Sequence, residues 1–316
     1  MPKAYLVFNP AAGRFPSLML TGRAAAVLRN QGWKIYLRQT HGGSHITELA
    51  TRAVEREMDA FFIAGGDGSI NYAVAGLIES QTPLGVLPAG TANVWSRELG
   101  LPGLTWTRLL ALEESAHQLA NANVFSVDIG LCNGNPFLLW AGVGLDAFIV
   151  HRIEPRSRWE KHFAVAHYAS IAMQEASFWG GIQLNVTVDD REISGHFILG
   201  VVSNIHLYAG GFAKISPYAC LDDGKMDLWL FAGETLLETL KHAWDLWSGH
   251  HMNSDQVQCI PFRKLRLSSD SKLHVQVDGE PIDNDNDDVK IEVQPKALRV
   301  LVPKNAPRAL FHEVQI

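Results

Sequence analysis

Gly65, Gly66, Asp67, Gly68 and Ser69 stand where the apolar run "AFFIA" (60–64) gives way to "INYAVAGLIES" (70–80). A short turn needs only one or two glycines, and a run of them costs backbone entropy. A ligand pressed against the main chain asks for more. Bare N–H groups at a helix N-terminus can receive phosphate oxygens, and a carboxylate such as Asp67 can face a metal or a phosphate-proximal group. The pattern recurs along the first third of the chain. Asn9, Pro10 and Gly13 follow "AYLVF", Thr40 precedes Gly42-Gly43, and Gly90, Thr91 and Asn93 follow "LGVLP". Any one of these loops alone is ordinary turn chemistry; four at strand ends point to one shared phosphate site. No Walker lysine pattern and no GxGxxG occurs, so the site is neither a P-loop nor a dinucleotide fingerprint.

Later candidates are more ambiguous on residue types alone. Glu280 follows Asp278-Gly279, a common hairpin pair. Asp222-Asp223-Gly224 either turns the chain or offers oxygen ligands. "DNDNDD" (283–288) lacks the glycine and the acid that a calcium loop needs at its sixth and twelfth positions, so it reads as a solvated hairpin tip. His250 and His251 read as surface residues. "HRIEPRSRWEKHF" (151–163) mixes Arg152, Arg156, Arg158 and Lys161 with Trp159 and Phe163. It reads as an exposed helix face or as a patch for anionic lipid headgroups.

The elements that would position these residues follow two grammars. Up to about Asn123, buried strands alternate with helices. Strands are expected at 4–8, over "KIYLRQT", over "AFFIA" and over "LGVLPAG". Helices are expected over 17–30 with Ser17 as cap, after a Ser44 cap with Ile46, Leu49, Ala50, Ala53 and Val54 inward, over "INYAVAGLIES", and after Thr91. This order makes a parallel sheet covered on both faces, with ligands at the carboxyl ends of its strands. Beyond Asn123, short strands dominate, from "VFSVDIGL" to "VKIEV" and "ALRVLVP", with helices near 145–178 and 234–248. That part reads as an antiparallel β-sandwich or barrel-like domain. The expected domains are 1–123 and 124–316, the final residues being free to return to the first.

Composition is that of a globular protein: 316 residues, 47% apolar and 19% charged. A formal net charge of −6 argues against a nucleic-acid partner. Cys132, Cys220 and Cys259 are far apart and odd in number, which argues against a zinc or disulfide framework and fits a reducing cytoplasm. No stretch has the length of a transmembrane helix.

The stretches "NPAAG" (9–13), "GGDGSIN" (65–71), "LPAGTAN" (87–93), "LDDGKMD" (221–227) and "VDGEPI" (277–282) together resemble the diacylglycerol kinase catalytic-domain family. The resemblance is closest to its soluble bacterial lipid-kinase branch, with sphingosine kinases as more distant relatives. "GGDG" alone is shared with NAD kinases and phosphofructokinases; joined to the late "DGE" it is specific. The resemblance implies an α/β nucleotide-binding domain of NAD kinase/phosphofructokinase type followed by a β-sandwich domain, and transfer of the γ-phosphoryl group of ATP to a lipid hydroxyl between them. It implies nucleotide contacts from Asn9, Pro10, Gly13, Thr40, Gly65, Gly66, Asp67, Gly68, Ser69, Ile70, Asn71, Gly90, Thr91 and Asn93. It makes Glu280 the general base, with Asp67 beside it as a catalytic group. It places a magnesium on Asp223 and on the carbonyls of Cys220 and Lys225. It further implies a lipid partner met peripherally at a membrane, a cytoplasmic location, and a homodimer as an open possibility. Ser69 stands where the family often has Thr, and keeps the hydroxyl. Val94 stands where many members carry Asp, so no acidic contact is available there. The alternatives are an NAD kinase-like activity and a non-catalytic lipid-binding or regulatory protein on the same fold.

Overall fold

The computed structural model describes residues 1–10, 17–153, 179–284 and 288–312. They form two compact units, Met1–Ile129 with Pro295–Ile316, and Gly130–Gln294. The boundaries differ from the expected break at Asn123 because they fall inside two continuous strands, β5 (Asn123–Cys132) and β17 (Asp288–Val302), rather than in linkers.

The first unit is built on parallel strands β1 (Lys3–Phe8), β2 (Lys34–Gln39), β3 (Ala60–Gly65) and β4 (Leu84–Pro88). They lie in the order β4-β3-β1-β2, and the end of β17 joins β4 in parallel, Val300 opposite Leu84. Every residue of β3 and β4 is buried. Successive strand residues face opposite ways, so both faces of the sheet are covered. The cover comes from α1 (Ser17–Asn30), α2 (Gly43–Glu55), α3 (Asp67–Leu77), α4 (Val94–Glu98) and α5 (Ala111–Ala120), with α1 against α5 and α2 against α3. The single helix expected after Thr91 is thus two. Ser44 is not a cap. The Thr40 hydroxyl donates to the Gly42 carbonyl at 2.7 Å and accepts its N–H at 3.2 Å, and Gly42 becomes the N-cap without any side-chain bond.

The second unit is antiparallel. Its strands are β6 (Asn135–Phe137), β7 (Trp140–Gly144), β8 (Ile182–Val188), β9 (Arg191–Ser203), β10 (Leu207–Tyr208), β11 (Ala213–Lys214), β12 (Met226–Ala232), β13 (Val257–Phe262), β14 (Lys264–Ser268), β15 (Val275–Val277) and β16 (Glu280–Ile282). The first half of β9 pairs with β8, and its second half lies between β7 and β12. Alternation on β8 sends Ile182, Leu184, Val186 and Val188 inward, where they meet Phe137, Val143, Leu228, Phe262, Leu267 and Val277. This is the sandwich core. The helices of this unit are α6 (Leu145–Ile153) and α7 (Leu236–Ser248). A reciprocal Thr235–Glu238 capping box starts α7 and Gly249 at φ 79° ends it.

Several expectations are corrected. "VKIEV" and "ALRVLVP" are one strand, β17, crossing Lys296 at φ 52°. The Asp128 carboxylate accepts the Lys296 N–H at 2.7 Å, so the chain continues past a residue that should have broken it. His251 is buried, not superficial: its ring lies against Trp229 and Nε2 pairs with the Ile215 carbonyl at 3.0 Å. Asn284 is buried as well, and Asp288 belongs to β17, where it binds Arg266 at 2.9 Å; residues 285–287 of that acidic run lie outside the described residues. So do Gly13 and most of the basic-aromatic stretch, from 154 onward.

Candidate active site

In the first unit the glycine loops gather at the carboxyl ends of neighbouring strands. The loop after β1 is tied to that after β2 by Thr40 N–H to the Phe8 carbonyl at 3.0 Å, and that after β4 to β3 by Ala89 N–H to the Gly65 carbonyl at 3.1 Å. Gly66 and Gly90 approach backbone to backbone: a Cβ on Gly90 would collide with the Gly66 main chain. This contact, not turn geometry, requires glycine at 90 and crowds any side chain at 66. Asn93, at φ 50°, clamps its own loop by accepting from Gly90 N–H at 2.8 Å and donating to the Gly90 carbonyl at 2.9 Å.

Asp67 opens α3 and joins the two loops. Its carboxylate accepts the N–H groups of Val94 at 3.0 Å and Trp95 at 3.2 Å, the start of α4. Burial pushes its pKa up, while those two N–H groups, its own N–H and the nearby Arg97 pull it back. Arg97 escaped the sequence reading, since a lone arginine on a short helix carries no pattern. In the first turn of α3 the Asp67 N–H turns to its own carboxylate and the Ser69 N–H bonds to the Gly66 carbonyl at 2.9 Å, while Gly68, Ser69 and Asn71 are partly accessible there. Ile70 is different. Its side chain is core and its N–H bonds to the Gly66 carbonyl, so it supports the loop from beneath. Thr40 is also buried, with its hydroxyl committed to Gly42. Thr91 and Pro10 are exposed and Asn9 is half-buried. A cavity lined by Glu79, Gln81 and Arg299 lies at the opposite, amino-terminal end of β4 and takes no part in this cluster.

In the second unit Glu280 is the first residue of β16. Val277 and Glu280 close a hairpin over Asp278 at φ 48° and Gly279 at φ 83°. Positive φ at both central residues is the tight turn that suits a twisted two-stranded ribbon. Asp278 does more than turn. Its buried carboxylate accepts from the N–H groups of Leu138 (3.0 Å), Leu139 (2.8 Å) and Trp140 (3.0 Å), and its own N–H returns to the Trp140 carbonyl at 2.9 Å. Glu280 therefore springs from a rigid base. That anchoring was invisible in the sequence because its partners lie 138 to 140 residues away.

The proposed magnesium loop lies between β11 and β12. Asp223 is exposed and accepts the Lys225 N–H at 3.0 Å around Gly224 at φ 75°. The Cys220 thiol points at Asp222, and burial with the Asp222 and Asp223 charges pushes its pKa up to about 11. Burial, and then the Asp223 charge, raise Asp227 against the bond it receives from Ser216. Among the described residues no three His, Cys, Asp or Glu side chains converge as a metal cage. The loop offers the Asp223 carboxylate and main-chain oxygens beside Asp222 and Asp227, a chemistry that fits a hard cation and not a soft one.

Residues 3–132 match the model of the diacylglycerol kinase catalytic domain, and residues 140–302 that of the YegS C-terminal NAD kinase beta sandwich-like domain. The chain belongs to the diacylglycerol kinase-like family. The members of that family are phosphotransferases with an alcohol acceptor. The chain is 26% identical to the diacylglycerol kinase of Bacillus subtilis over 282 residues, 89% of this chain and 90% of that one. It is 26% identical over 306 residues to a Shewanella frigidimarina protein named "Probable lipid kinase YegS-like", covering 92% and 94%. A crystal structure of a diacylglycerol kinase from Bacillus anthracis shares the fold with a TM-score of 0.75 at 21% identity, covering 96% of this chain and 97% of that one.

Proposed function

We propose that this diacylglycerol kinase-like chain transfers the γ-phosphoryl group of ATP to the hydroxyl of a lipid alcohol. One observation carries the reading: a main-chain cradle at Gly66 and Gly90 and a Glu280 fixed on a clamped hairpin occur in one chain. Phosphoryl transfer needs little covalent help from a protein; it needs positioned phosphates, charge stabilisation and a group that takes the acceptor proton. The α3 N-terminus and the loop of Thr91 and Asn93 hold the nucleotide phosphates through N–H and hydroxyl groups. Asp67 keeps these loops in register and places a negative group beside the phosphates. Glu280 accepts the hydroxyl proton as the oxygen attacks phosphorus. Magnesium, when bound, supplies positive charge near Asp223 and Asp227, with Asp223 and the carbonyls of Cys220 and Lys225 holding it and bracing the loop.

The names of the relatives support a diacylglycerol-like acceptor. No described helix is long and apolar enough to cross a membrane, so a lipid acceptor implies peripheral contact. α7 turns Leu237, Leu240, Trp244 and Trp247 outward at helical spacing, a combination suited to a lipid–water interface. Labelled ATP with a panel of diacylglycerol, phosphatidylglycerol, sphingoid bases and NAD, followed by chromatography, tests the proposal. A labelled lipid product is expected. Labelled NAD phosphate instead, or nucleotide binding with no transfer to any lipid, would overturn it.

A further inference from the structure

Gln276 is fully buried in β15, directly opposite Gly142 of β7. Its amide is held at both ends. Nε2 donates to Asp146 Oδ2 at 2.7 Å, and Oε1 accepts the Gly279 N–H at 2.9 Å. Asp146 stands in the first turn of α6, just after β7. The side chain of Gln276 reaches it by crossing over Gly142. A Cβ on Gly142 would fall on Asp146 Oδ2 and come within 2.7 Å of Gln276 Nε2, so the glycine keeps the crossing open.

This arrangement exceeds what a hairpin needs. An Asp-Gly turn forms through its own positive φ values, and the Asp278 carboxylate already fastens it to residues 138–140. A carboxylate only accepts hydrogen bonds, so Asp146 dictates which end of the amide faces it. The carbonyl end of Gln276 is thereby aimed at Gly279, the residue directly before Glu280. A buried amide with both ends satisfied has little freedom to rotate, whereas an unsatisfied one is costly.

We infer that Gln276, oriented by Asp146, is a positioning residue that fixes the direction of Glu280 through the Gly279 N–H. The inference rests on the reading of Glu280 as general base. Asp278 sets where the turn sits, and Gln276 sets how the Asp278–Gly279 peptide, one link before Glu280, is rotated. The carboxylate of a general base must meet the acceptor hydroxyl in hydrogen-bond geometry, and a misplacement of about 1 Å can cost about a hundredfold in rate.

The test is a double-mutant cycle of Gln276→Ala and Glu280→Gln, assayed with labelled ATP and mixed micelles of a lipid extract containing diacylglycerol. Gln276→Ala should lower kcat by about a hundredfold and leave the KM for ATP unchanged. In the Glu280→Gln background it should have almost no further effect, because two residues acting as one unit are not additive. Destabilisation alone would lower the rate by the same factor in both backgrounds. Such additivity, or a wild-type kcat in Gln276→Ala, would overturn the inference while leaving Glu280 in place. A wild-type kcat in Glu280→Gln would remove the base itself, and the inference with it. Should Gln276→Ala fail to fold, Gln276→Met keeps the length without the amide and enters the same cycle. Gly142→Ala, which displaces the pair from the neighbouring strand, gives an independent third arm.

Discussion

Glu280 and Asp67 look alike in the sequence, each an acid beside glycine, yet their surroundings assign them different work. Glu280 is partly exposed at the start of β16, on a hairpin clamped two residues earlier through Asp278. Replacing it by Gln should leave nucleotide affinity intact by calorimetry and lower single-turnover rates by about a hundred- to ten-thousandfold. Unchanged single-turnover rates would leave the base unassigned. Asp67 has a structural task as well, since it caps the N-terminus of α4. Asp67→Ala should therefore cost both turnover, by about a hundredfold or more, and about 1–3 kcal/mol of stability from two orphaned N–H groups. Turnover assays and urea denaturation of one preparation measure both, and near-normal turnover would end its assignment. His274 offers a pH-dependent signature. Burial first, then His151 and Lys272, lower its pKa below the ordinary 6.5. Folding is thus undisturbed by this group above about pH 6.5, and stability is lost as the pH falls through the lower, folded-state value. In His274→Gln that acid-side loss should shrink; an identical pH–stability curve would show that the ring is not strained by protonation.

Among the elements, the hairpin of β15 and β16 is short, and its strength comes from residues outside it. Asp278→Ala leaves the N–H groups of Leu138, Leu139 and Trp140 without their acceptor. Charge-assisted bonds contribute about 1.5–3 kcal/mol each and do not add fully, so a loss of about 3 kcal/mol in chemical denaturation is expected, with kcat falling as Glu280 drifts. A loss below about 0.5 kcal/mol, the level of a featureless surface site, would mean that the turn holds itself. The strands themselves were mostly readable because apolar alternation and β-branched runs report burial directly, as β8 and β9 do. Three errors share one cause. The N-cap of α2, the continuity of β17 past Lys296 and the burial of His251 depend on the Thr40 hydroxyl, the Asp128 carboxylate and the Ile215 carbonyl. Two of these partners are distant in sequence, and the third acts through a side-chain turn that competes with the expected cap.

At the scale of the whole molecule, a ligand that binds the native state raises its stability by mass action. If magnesium sits at Asp223, magnesium without nucleotide should raise the melting temperature and a chelator should lower it, and Asp223→Ala should abolish the difference. A wild-type melting curve indifferent to both would reduce "LDDGKMD" to a turn. The sequence by itself determined the fold class, the change from alternating strands and helices to antiparallel strands, and the membership of the family. Each of these is written in local periodicity or in contiguous motifs, which survive without knowledge of distant neighbours. The tertiary structure decided what each motif residue does. It set Gly66 against Gly90, turned Thr40 and Ile70 into supports, and gave Asp67 the start of α4 to cap. It also brought in Asp146 and Gln276, 130 residues apart and outside any motif read from the sequence. The physical reason is that hydrogen-bond direction and close backbone approach are set by where strands come to lie side by side, and no window of sequence contains both partners.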